Sequence, residues 1–190
     1  SCVGGKCMPD VMSDDNPGPG PGPTCNNLPE RDCTGSAAYC GELVVFNPRV
    51  KPEYDDYPIN GETSVNQYRS YLRRDLMMLL EYATAKTHCK SAGWNTGNGG
   101  ALGFGDMSEG NGDIPGTAVG QPGHPPSTHT NGFDIDLAYY QKNTANNYLR
   151  PICQHADYHC SQPPHLLDVW RTAMFLGSVF ESNRVRIVGV

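Results

Sequence analysis

Apolar residues recur along the chain with two periods. Phe133, Ile135 and Leu137 alternate with Asp134 and Asp136, the period of a strand with one face buried. The spacing predicts that the three apolar side chains enter a core. The two carboxylates then share the other face, about 7 Å apart by the rise of a strand. Over 64–86 the period is helical, with Tyr68, Leu72, Leu76, Leu79, Leu80 and Ala83 on one face. Ser64 and Gln67 make a capping box at its start. Arg69, Arg73 and Arg74 fall off that stripe and read as a charged, solvated face, or as a fork for a substrate carboxylate. A second helix is predicted over 165–181. Pro163 and Pro164 start it, Leu166, Leu167, Trp170, Ala173, Met174, Gly177 and Phe180 turn inward, and Asp168 sits in its first turn. Short apolar runs at 42–46, 101–104 and 184–190 read as strands.

Helices alternating with a few strands predict an α+β domain, with a small, mostly antiparallel sheet and helices packed on one side. Composition sets residues 1–40 apart as a Cys- and Pro/Gly-rich N-terminal tail and linker, and the domain proper as 41–190. The alternating Pro and Gly of 17–23 have no side chains to bury and favour extended, solvated backbone.

A formal charge of -6 supplies no basic stripe for nucleic acid, and no apolar run is long enough to span a membrane. Eight cysteines in a Gly/Pro-rich chain read as disulfide bonds formed in an oxidising compartment. Cys153 and Cys160 are close enough to staple one loop. His155 and His159 lie inside that loop, but the spacing is not that of a zinc site, and a disulfide would consume the thiols.

The chemistry concentrates around the alternating strand. Like charges on one face of a strand repel, and a cation would offset them. Gly132 permits a sharp turn that folds His129 back over the strand. An imidazole and a carboxylate, His129 and Asp136, then meet one ion, a recognised part of a zinc ligand set.

The run His129-Thr-Asn-Gly132-Phe-Asp134-Ile-Asp136 resembles the first metal motif of a zinc peptidase group that contains the penicillin-insensitive murein endopeptidases, the D-Ala-D-Ala peptidases and hedgehog-like domains. Gly105-Asp106-Met107-Ser108 and the glycine-rich run to Gly123-His124 resemble the murein endopeptidase branch. The resemblance covers roughly residues 65 to 190. It implies Zn2+ held by His129 and Asp136. The family often has another histidine shortly before the first ligand, the place His124 takes, so His124 joins the metal set. Asp134 is expected beside the ligands, orienting His129 or a neighbouring backbone group. The implied substrate is the cross-link peptide of peptidoglycan, and the implied location is periplasmic or extracellular.

One departure is plain. The family draws its third ligand and an assisting histidine from a His-x-His motif, and this sequence has none. The missing group is then expected from outside these 190 residues, for example from a second fragment of the same precursor, and no residue here is assigned as catalytic base. The alternative is a non-catalytic cell-envelope module that keeps the peptidase fold.

Overall fold

The computed structural model describes residues 22–56, 69–156, 159–185 and 188, with the backbone of 2–3 and 6–7. The elements run β1 (Cys2–Val3), β2 (Lys6–Cys7), α1 (Ala37–Cys40), β3 (Leu43–Val45), β4 (Tyr54–Asp56), β5 (Tyr71–Arg73), α2 (Arg74–Lys90), β6 (Leu102–Phe104), a 3-10 turn at Thr117–Val119, β7 (His155–Ala156), β8 (His159–Cys160) and α3 (Val169–Val179). The fold is α+β, built from short two-stranded ladders and three helices. The β1/β2, β3/β5 and β7/β8 ladders are antiparallel, and β4/β6 is parallel.

Helix α2 begins later than the sequence period predicts. Leu72 has helical spacing to Leu76, yet it lies in β5, opposite Val44, and is fully buried there. The backbone of 71–73 pairs with β3 and Ser108 and so cannot make helical bonds. The capping-box residues Ser64 and Gln67, and Tyr68, lie outside the described residues. From Arg74 onward the stripe holds: Leu79, Leu80 and Ala83 are buried, and Leu76 packs against the core. Arg73 and Arg74 make surface ion pairs with Asp75 and Glu42, whereas Arg69 is buried against Asp106.

Helix α3 keeps the expected period but is turned by one residue. Its buried positions are Arg171, Phe175, Ser178 and Val179, while Trp170 and Phe180 face solvent. The cause is a buried polar network. Asp168 caps the helix by accepting from the Arg171 N–H, and its other oxygen takes the Arg171 guanidinium at 2.6 Å. That guanidinium also donates to Ser91 and Thr96 and lies over the Trp94 ring. A hydrophobicity pattern cannot see that an arginine occupies the inward stripe.

Helices α2 and α3 pack on each other over a core of Phe46, Tyr54, Leu72, Leu80, Leu102, Phe104 and Met107. Phe46, Tyr54 and Phe104 form an aromatic trio with centroids 5.1–5.2 Å apart. Each such buried side chain contributes about 1.5–3 kcal/mol of transfer free energy. Strand β6, buried at all three positions, is central: β4 flanks it on one side, and Leu137 and Asn147 bridge to it on the other. Disulfides Cys25–Cys89, Cys33–Cys40 and Cys153–Cys160 are formed, the last as the spacing suggested. The first fastens the N-terminal segment to α2. Among the described residues, no helix is long and apolar enough to cross a membrane. Most of the strand predicted at 184–190 lies outside the described residues.

Candidate metal centre

The alternating segment is extended but only partly strand-like. It reaches β6 through one bridge, Phe104 to Leu137. Asp136 accepts from Gly105 N–H at 2.8 Å and donates to the Asp106 carbonyl at 2.9 Å, and Ala138 N–H donates to Gly103. One residue, Asp136, thus opposes two, Gly105 and Asp106. This is the pattern of a β-bulge, which re-aims side chains at a sheet rim. Ile135 and Leu137 pack against the core as expected. Phe133 does not: it is 65% exposed. Its ring lies 4.7 Å from the Arg73 guanidinium carbon instead, because the chain is already turning at Gly132.

That turn is made of left-handed residues. Ser127, His129, Asn131 and Gly132 all have positive φ. Only at Gly132 is a side chain excluded by space as well. A Cβ there would stand 2.5 Å from the Arg73 nitrogen and 2.6 Å from a Leu43 methyl, and the Gly132 carbonyl accepts from that same Arg73 N–H. The turn is therefore pinned to the end of β5. A second loop grips it from outside, since Asn131 N–H donates to Gly112 O. Glu109, buried, holds the far side of that loop with its carboxylate on the Ala118 N–H.

The turn folds His129 back over the strand, as the sequence suggested. His129 is 5% exposed. Its Nε2 lies 3.6 Å from Asp136 Oδ1, and its Nδ1 lies 3.5 Å from Asp134 Oδ2. Asp134 also accepts from the His129 backbone N–H at 2.9 Å. His124 completes the group. Its ring meets that of His129 edge-on, with centroids 4.4 Å apart. One donor atom each from His124, His129 and Asp136 lies within 4.8 Å of the others, and this is the one such grouping of three among the described residues.

The donors fit a divalent ion on two counts. Two imidazoles and a carboxylate form a set that suits Zn2+. Two donors at tetrahedral angles around zinc would stand roughly 3.3 Å apart, close to the 3.6 Å between His129 and Asp136.

Asp106 is the residue that spacing did not reveal. Its Oδ2 lies 2.6 Å from His124 Nε2, and its Oδ1 is 3.4 Å from Arg69. A carboxylate on one ring nitrogen fixes the tautomer and leaves the other nitrogen, Nδ1, with its lone pair free. The signal was present in the Gly105-Asp106-Met107-Ser108 run, but nothing in the sequence says that its bulge faces a histidine eighteen residues later.

The cysteine- and histidine-bearing loop after the strand is different. Cys153 and Cys160 are joined, and His155 and His159 sit exposed on the β7/β8 hairpin. Among the described residues they belong to no three-donor group.

No protein-family model, no curated protein and no solved structure matches this chain. The fold and the three converging donors thus define a disulfide-bearing α+β domain with a candidate metal centre.

Proposed function

We propose that this domain is a zinc-dependent peptidase acting on the peptide cross-links of peptidoglycan, outside the cytoplasm. The observation that carries the reading is the convergence of His124, His129 and Asp136 within 4.8 Å, at the positions where the sequence resembles murein endopeptidases. Zinc bound there would polarise a peptide carbonyl and lower the pKa of a bound water. The chain's own residues hold and aim the donors. Asp106 keeps the His124 proton on Nε2, Asp134 anchors the His129 backbone, and the Gly132 turn buries the His129 ring away from competing water. The half-exposed carboxylates of Asp134 and Asp136 leave the centre open toward solvent. Three disulfides agree with an oxidising, extracytoplasmic compartment.

A second reading, a non-catalytic envelope module, is favoured by one observation. Two carboxylates that could move a proton are otherwise engaged: Asp106 by His124 and Arg69, Glu109 by the Ala118 amide. Incubation of the zinc-loaded chain with cross-linked muropeptide dimers, scored by released amine, decides between the two. Chelator-sensitive cleavage lost in Asp136→Ala is the result expected of the peptidase. A chain that retains stoichiometric zinc and binds the dimers without cleaving them would establish the module instead.

A further inference from the structure

The segment that carries Asp136 has one paired edge and one bare edge. Asp136 and Ala138 direct their backbone groups toward residues 103–106. In an extended chain, successive residues present N–H and C=O to opposite sides. Ile135 and Leu137 therefore offer theirs to the far side, where among the described residues no group bonds them. Bare edges of this kind are templates for another strand.

The bare edge opens on a groove of about 1260 Å³, walled by Leu76, Leu79, Phe175 and Val179 from the two long helices. The volume exceeds the roughly 300–1,000 Å³ of small-molecule sites, so a length of chain fits it better than a compact ligand. Its guanidiniums are matched, and Asp134 and Asp136 add carboxylates at the end beside His129. The rim guanidiniums of Arg31, Arg73 and Arg184 lie against Asp32, Asp75 and Asp75 respectively. Burial works against ionisation of Asp75, but hydrogen bonds from Arg73 and Arg184 outweigh it and hold the carboxyl below its usual value. The groove thus offers an incoming chain main-chain hydrogen bonds and apolar area, with carboxylates at one end.

We propose that the Ile135–Leu137 edge binds an extended peptide with apolar side chains at alternate positions, by strand addition. The peptide pairs its main chain with Ile135 and Leu137. Its apolar side chains point to the Leu76–Phe175 wall. In an antiparallel addition, the peptide residue opposite Asp136 lies on the same face, with Cβ atoms about 4.5–5.5 Å apart, and so stands at the metal centre. The proposal goes beyond the peptidase reading, since an extended α-linked peptide is a different occupant from a peptidoglycan cross-link: backbone addition supplies affinity, and the apolar wall supplies selectivity for alternate side chains.

The test is hydrogen exchange by NMR on the metal-free 190-residue chain, titrated with acetyl-Val-Ser-Val-Ser-Val-amide. A control peptide is N-methylated at the residues that pair. The expected result is at least a tenfold slowing of the Ile135 and Leu137 amides with the first peptide and no slowing with the second. Amides indifferent to both peptides would overturn the proposal. So would amides already protected in the free chain: at all protein concentrations this means the chain's own residues beyond Asn183 cover the edge, since Val185 and Val188 also line the groove; with rising protein concentration it means a second copy does. Because no metal is present, the outcome is independent of hydrolysis. Cleavage without edge protection would remove the proposal alone, and edge protection without cleavage would remove the peptidase reading alone.

Discussion

Two loops of this protein carry histidines beside acidic or sulfur groups, and they were built to opposite ends. In the 124–136 loop, left-handed residues at Ser127, His129, Asn131 and Gly132 curl the chain over a strand and bury the His129 ring. In the 153–160 loop, a disulfide closes a two-stranded hairpin whose histidines point to solvent. Residue types alone would rank the second loop with the first. The difference is convergence. Backbone turns and neighbouring loops bring three donors together at one, while the covalent staple at the other holds a shape and, among the described residues, gathers no such group.

Replacement of Gly132 breaks the contrast most severely. An alanine there adds both a disfavoured φ and a 2.5 Å clash with the β5 backbone, at a cost on the order of 3 kcal/mol or more. Urea unfolding should show that loss, and zinc stoichiometry should fall with it. Asp136→Ala comes next: the fold should survive and stoichiometric zinc should disappear. Asp106→Asn should weaken zinc about 10–100-fold per folded chain by removing the charge behind His124, and it should also lower the unfolding midpoint, because Asp106 is an ion-pair partner of the buried Arg69. Asp134→Ala should cost less than Asp106→Asn, since it frees a backbone contact to His129. Equal losses at Asp134 and Asp136, read by competition with a zinc chromophore, would mean that both are ligands. The smallest effect belongs to the other loop. The Cys153→Ser, Cys160→Ser double variant should leave zinc affinity unchanged while lowering stability by about 2–3 kcal/mol on the chain-entropy estimate.

Much of this was legible in the chain. Gly132 announced the turn, His129 and Asp136 announced the donors, and the stripe from Leu76 to Ala83 announced the long helix. What the sequence concealed were places where polar groups replaced apolar ones. Arg171 occupies the inward stripe of α3 because Asp168 neutralises it, so the buried face shifted by one residue. Leu72 has helical spacing but was claimed by backbone pairing with Val44. Phe133 continues the period of Ile135 and Leu137, yet the Gly132 turn ends the strand before it, leaving the ring on Arg73. Asp106 was hidden for a similar reason: a bulge, visible only in hydrogen bonds, directs its carboxylate at His124.

The central claim is that the curled loop assembles one ion site from His124, His129 and Asp136. Anomalous diffraction at the zinc edge, on crystals of the zinc-loaded chain, tests it most directly. The account requires a single strong peak with nitrogen and oxygen donors of those three residues at about 2.0–2.2 Å. A peak elsewhere, on His155 or His159 for instance, or no peak at all from a zinc-saturated sample, would contradict it.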